Sequence, residues 1–340
     1  MKDRLIHKDF KFAGDLCSSN ELLEKIKKDV NYHNFLQSWF NEKDFILAKT
    51  SGSTGQPKEI KLKKIDLISS SKLTADYFNL KPGDRVINCL PVEYIAGKMM
   101  LVRALVLGLD IYLFPVCSSP IEQIESKYDL IALTPMQLKK SINKISLIKN
   151  VLVGGSPVDE NLKHKVLNIN SNVFETYGMT ETITHIAVKN ISKGEKEFTA
   201  LPGINVGEID DCLFIKPAHL SVNIIKTNDL VELTGENKFI IIGRKDFIIN
   251  SAGVKINPET VERELSKQLN QEFIVSSIND DSFGEKVVLV LDKQPPENIN
   301  DLLKVLGKYE LPKQIILIEK FPKKNGKFDR LAIRRIINKN

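Results

Sequence analysis

Between Arg85 and Gly155 short apolar runs alternate with helical stretches, and that rhythm constrains the fold more than any single residue does. RVINCLP, starting at Arg85, is followed by Lys98 to Leu109, which reads as a buried helix; DIYLFP is the next strand, and DLIALTP, a periodic segment and NVLVGG repeat the pattern. Strand and helix in alternation predict an α/β layer structure. Upstream, the spacing of Ile65, Ile68, Leu73 and Tyr77 predicts a helix over 64–78, closed by a turn at Lys81-Pro82-Gly83-Asp84. In the second half DCLFIKP, DLVEL and KFIIIGR read as strands, the last two joined as a hairpin through Thr234-Gly235-Glu236-Asn237. After GRKD the character changes. FIINSAGVKI leads into a helix that starts at Asn257-Pro258 and carries a stripe of Val261, Leu265 and Leu269. VVLVLD, a short helix over 300–307 and QIILIE complete a compact α+β unit of about 90 residues. With 340 residues, 42% of them hydrophobic, two domains are expected, and the boundary is placed between 1–245 and 246–340.

Composition excludes more than it selects. Cys17, Cys89, Cys117 and Cys212 are scattered without metal-ligand spacing, and no signal peptide opens the sequence, so a reducing cytoplasm is expected. No apolar run approaches a membrane span, so no membrane insertion is expected. The 49 basic and 43 acidic residues leave a net charge of +6, which suits small polyanions. Without an aromatic-interleaved basic patch, zinc-finger spacing or an internal repeat, that excess does not point to nucleic acid.

TSGSTGQPK, Thr50 to Lys58, carries the clearest chemistry. Its glycines let backbone N–H groups approach an anion, and its hydroxyls and Lys58 add donors and charge, which suits phosphate. It is not a Walker A loop. Gly52 and Gly55 are three apart, and Pro57 precedes Lys58. DFILAK before it and EIKLKK after it read as strands, so the stretch is a tight connection between them.

Five separated segments resemble one family in that family's order. TSGSTGQPK resembles the phosphate loop of the adenylate-forming superfamily, YGMTET (Tyr177 to Thr182) its second signature and TNDL (Thr227 to Leu230) its ribose segment. GRKDFIINSAGVKINPETVE (Gly243 to Glu262) resembles the hinge motif, and PKKNGKFDR (Pro322 to Arg330) the C-terminal lysine motif. The resemblance implies that a carboxylate attacks the α-phosphate of ATP, giving an acyl-adenylate and pyrophosphate, and that a thiol then displaces AMP. It assigns Thr50, Ser51, Gly52, Ser53, Thr54, Gly55 and Lys58 to the leaving phosphates, with Tyr177 and Gly178 in the nucleotide site. Thr180 would donate to the α-phosphate and Glu181 would hold Mg²⁺. Asp229 would accept the ribose hydroxyls with Arg244 as partner, and Lys327 would bridge the carboxylate and the α-phosphate as charge develops. Asp246 falls at the hinge, and the Gly253 loop would face pantetheine in the thioester-forming pose. Asn250 stands where many relatives have Lys. Read alone, Glu181 and Asp229 are turn residues and Lys327 a solvated lysine; their order in the chain supports the functional reading.

Acid choice is expected in LPVEYIAGKMMLVRAL (Leu90 to Leu105) and VGGSP (Val153 to Pro157), with Tyr94, Arg103, Gly154, Gly155 and Ser156 as substrate residues. Arg103 lies in an otherwise apolar helix, where it is either a snorkelling or paired residue or a receptor for a second carboxylate. The pattern is most similar to o-succinylbenzoate:CoA ligases of menaquinone biosynthesis, whose substrate is an aromatic dicarboxylate; ATP, Mg²⁺ and CoA follow as cofactor and co-substrates. Little precedes the phosphate loop, a shortening that disfavours long-chain acids. The alternatives are another aryl- or acyl-CoA ligase, a stand-alone adenylation domain loading a carrier protein, and a non-catalytic nucleotide-binding module.

Overall fold

A computed structural model describes residues 5–49, 58–324 and 327–338, with only the backbone of Lys324 and Lys327. The expected phosphate-loop residues Thr50 to Gly55 lie outside the described residues. The chain forms two compact units: Met1–Gly207 with Ile215–Ile225 and Thr234–Phe239, and Ile240–Asn340 with Glu208–Phe214 and Lys226–Leu233.

The first unit is the α/β structure that the alternation demands. Its strands Asn172–Gly178, Ile148–Val153, Tyr128–Leu133, Arg85–Asn88, Asp110–Leu113 and Lys11–Phe12 lie side by side and parallel. His185–Asn190 and Phe198–Ala200 extend the sheet antiparallel beyond Asn172–Gly178. Ile87, Ile131, Val151 and Val173 from four of the parallel strands share one core, as expected of strands buried on both faces. In such sheets the crevice at the carboxyl ends of the strands takes ligands. The turns after Asn88, Val153 and Gly178 all leave the sheet at that edge. The expected strand pair also forms, Phe45–Lys49 against Glu59–Lys63, with Lys49 opposite Glu59. The segment before it, whose sequence carries no chemical motif, forms helices Ser19–Lys25 and Val30–Phe40; Trp39 is fully buried and donates to Leu5 O at 3.0 Å.

The helix Lys64–Phe78 forms over its expected span, but its buried face is not the stripe of apolar residues that marks it in the sequence. Ile65 is 59% and Tyr77 38% exposed, while Leu67, Ser70, Ser71, Thr74, Ala75 and Phe78 are buried. Hydroxyls can occupy that face because they bond back along the helix, Ser71 to Leu67 O at 2.8 Å and Thr74 to Ser70 O at 3.0 Å. The second expected helix runs Ile95–Leu107 and ends at Gly108 in the left-handed region.

The second unit is α+β. Val254–Ile256, Ile249–Ser251, Gly284–Leu291 and Phe273–Asp280 form an antiparallel sheet, with Gln314–Leu317 parallel to Gly284–Leu291. The central strand feeds two cores by its period of two. Val287, Leu289 and Leu291 face Val261, Leu265 and Leu269 of the Asn257-capped helix Pro258–Leu265 and its end. Val288 and Val290 face Ile333 and Ile337 of the helix Arg330–Ile337.

Candidate active site

Tyr177-Gly178-Met179-Thr180-Glu181-Thr182 closes the parallel sheet in the first unit. The return strand runs so near that a Cβ on Gly178 would stand 2.3 Å from Thr184 O and 2.7 Å from the His185 Cα, so only glycine fits. Thr180–Thr182 make a single tight helical turn. The Thr182 hydroxyl accepts from Met179 N–H at 2.9 Å and donates to Thr184 O at 2.8 Å, tying both ends of the turn. Ile183 follows at φ +67°, costly for a β-branched side chain and tolerated where surrounding structure overdetermines it. The result buries Thr180 and leaves the Glu181 carboxylate exposed. Tyr177 packs edge-on against Phe239, centroids 5.4 Å apart. Gly154, Gly155 and Ser156 follow the neighbouring strand. Beyond them Val158 N–H donates at 3.1 Å to Glu175, a buried carboxylate held 2.9 Å from Lys189, whose pKa burial lowers.

Arg103 reaches this turn from the helix Ile95–Leu107. Its Nη2 donates to Thr184 Oγ1 at 2.7 Å, its Nε to Thr74 Oγ1 at 3.3 Å, and its Nη1 lies 3.5 Å from Met100 Sδ. All three partners are neutral. The side chain is 2% exposed, and burial alone pushes the guanidinium down to about 10, with no carboxylate among the described residues to offset it. His185, next along the return strand, lies with Nδ1 3.2 Å from Thr184 Oγ1; burial, then the charge of Arg103, hold its pKa well below the ordinary value.

In the second unit Asp229 is buried on the strand Ile225–Gly235 and receives Arg244 Nη1 at 3.0 Å. The other arm of the fork, Nη2, reaches Asp246 at 2.8 Å, and Asn228 Nδ2 donates to the second Asp246 oxygen at 2.9 Å. Burial opposes the charge of Arg244, but Asp246 and Asp229 outweigh it and raise the pKa. Gly253 lies in a two-residue hairpin loop with Ala252, both at positive φ, as the tight hairpin turn requires. Lys327 is on a short strand, its backbone opposite Lys324.

The sequence matches the AMP-binding enzyme family over residues 16–207. The chain belongs to that family. An AMP-forming acyl-CoA synthetase/AMP-acid ligase II-like protein from Dyadobacter fermentans is 31% identical, with a TM-score of 0.60 over 92% of this chain and 95% of the other. The o-succinylbenzoate coenzyme A synthetase of Bacillus subtilis, solved in complex with ATP and magnesium ion, shares the fold at 20% identity, with a TM-score of 0.72 over 93% of this chain and 82% of that one. The 2-succinylbenzoate–CoA ligase of Haemophilus influenzae is 23% identical across 74% of this chain, which spans only 60% of that relative's length.

Within this AMP-binding enzyme the structure gathers the expected residues in two groups. Arg103 meets the turn that carries Thr180 and Glu181; Asp229, Arg244 and Asp246 form one ion-paired cluster. Tyr94 is 45% exposed at the start of its helix, and Lys58, the last residue of the expected phosphate loop, is exposed. Thr74, Thr184, His185 and Glu175 escaped the sequence analysis. Thr74 and Thr184 lie 29 and 81 residues from Arg103, so no local pattern ties them to it.

Proposed function

We propose that this AMP-binding enzyme is an AMP-forming acid:CoA ligase whose acid is an aromatic dicarboxylate, o-succinylbenzoate. The supporting observation is Arg103. A guanidinium without a counter-ion is costly to bury, and a second carboxylate on the acid would supply the missing charge. Among acids offered to this enzyme class, o-succinylbenzoate carries one carboxylate to activate and another to bind.

In this reading a carboxylate oxygen attacks the α-phosphorus of ATP, and pyrophosphate leaves with the electrons of the broken P–O bond. The CoA thiolate then attacks the acyl carbonyl and AMP leaves. Residues Thr50 to Gly55 with Lys58 hold the departing phosphates, Thr180 donates to the α-phosphate, Asp229 takes the ribose hydroxyls and Lys327 steadies the charge of the first transition state. Residues 246–340 form the domain that turns about Asp246 between the two steps. Magnesium would offset phosphate charge. Glu181 fits it as a single exposed carboxylate, because this ion draws most of its shell from phosphate oxygens and water. Among the described residues no group of three His, Cys, Asp or Glu could hold a metal by itself. No helix there is long and apolar enough to cross a membrane; four free cysteines support a cytoplasmic reaction.

The test is pyrophosphate release with ATP, Mg²⁺ and a panel of acids, with and without CoA. Turnover confined to o-succinylbenzoate with CoA consumed is expected. Turnover with a different acid, or only with a holo carrier protein, overturns the assignment.

A further inference from the structure

We infer that His185 is a specificity-determining residue of the acid site, its Nε2–H donating to a second oxygen of the acid whose carboxylate Arg103 binds. The inference rests on the reading of Arg103 above, and the hydrogen bonds carry it one residue further. A guanidinium only donates, so Thr184 Oγ1 must accept from Arg103 at 2.7 Å. The only other neighbour of that hydroxyl among the described residues is His185 Nδ1 at 3.2 Å, so the hydroxyl proton points there and Nδ1 accepts. The ring is neutral, and its one proton is therefore on Nε2.

That Nε2 has no hydrogen-bond partner among the described residues, and the residue is only 7% exposed. Phe78 faces the imidazole edge-on with centroids 6.0 Å apart and offers no lone pair. Buried donors are seldom left unmatched, and where one is, a ligand group or water usually completes it. One hydroxyl thus joins two demands that the described residues leave unmet, a cation without an anion and an N–H without an acceptor. A monocarboxylic acid that spends its carboxylate on ATP answers neither. An acid with a distal carboxylate and a carbonyl oxygen beside it answers both, and the succinyl arm of o-succinylbenzoate has that ketone next to the ring.

The experiment crosses residue against ligand oxygen. Wild type, His185→Phe and His185→Gln are assayed for pyrophosphate release with o-succinylbenzoate and with the analogue whose ketone is a methylene. Wild type is expected to prefer the ketone about tenfold in KM with kcat little changed, the worth of one hydrogen bond. His185→Phe should lose that preference, and His185→Gln, which keeps a donor, should retain part of it. Equal loss on both acids, or no preference in wild type, overturns the inference while leaving the ligase reading intact; a wild type inert to o-succinylbenzoate removes the reading itself. Nitrogen-15 spectra of histidine-labelled wild type need no variant to fold. They should show the Nε2–H tautomer for His185, and the Nδ1–H tautomer overturns the relay.

Discussion

Replacing Arg103 with methionine should leave the protein about as stable and far less useful. A base whose pKa falls on folding destabilises the fold for as long as it is charged. Burial takes this guanidinium to about 10 from roughly 12.5 for a free side chain, so it stays charged and the penalty persists throughout the neutral range. At about 1.4 kcal/mol per pKa unit the penalty is of order 3 kcal/mol. Against it stand the two hydrogen bonds to Thr74 and Thr184, which from a charged donor are worth about 1.5 kcal/mol or more each and so offset the penalty. Methionine fills a similar volume with a flexible apolar chain, and exchanges of buried charge for such residues have been neutral or stabilising. The expected result is a change of no more than about 1 kcal/mol in unfolding free energy by urea titration. Turnover of o-succinylbenzoate should fall steeply at the same time. A loss of about 3–5 kcal/mol, the mark of a severed buried ion pair, would refute the reasoning, because it would mean that Arg103 already has its anion.

Three further outcomes can be checked directly. Lys327→Ala should abolish pyrophosphate release yet largely spare transfer from supplied acyl-AMP to CoA; equal loss in both half-reactions refutes that division. Gly178→Ala should cost about 3 kcal/mol or more, since its Cβ would meet backbone atoms at 2.3 and 2.7 Å, and a wild-type melting temperature would count against the close approach. Arg330→Gln leaves the Glu262 carboxylate without its ion-pair partner. Burial raises the Glu262 pKa, with Arg330 pulling it down, so the folded value exceeds the unfolded one and its contribution to stability is lost as pH rises through it. The side chains keep 17% and 18% exposure, so the variant should lose about 2–4 kcal/mol near neutral pH and less near pH 4.5; a gap that does not change with pH opposes this account.

The sequence made much of this architecture legible, for reasons that differ by element. VVLVLD could be read as a strand because a short apolar run is a local signal, and Asn257-Pro258 marks a helix start by itself; that the strand's two faces feed two cores shows only in the fold. Apolar spacing was enough to find the helix Lys64–Phe78 but not its buried face, which uses Ala and Ser and Thr hydroxyls that bond back to their own helix. Arg103 stood out as a charge in an apolar helix, but its direction depends on Thr184 and Thr74, which only the folded chain brings near. Motif order set Arg244 beside Asp229 but left Asp246 apart; that one guanidinium ion-pairs with both shows only in the folded chain.

The fork of Arg244 makes those three residues one inherited character. Under the proposed roles, a substitution at Asp246 intended to alter movement also releases one arm of the guanidinium that holds Asp229, so nucleotide affinity should change with it. Effects at positions 229 and 246 should therefore not add, and the double variant should be less impaired than the sum of the singles. Substitutions that survive at one of the three positions should depend on what occupies the other two.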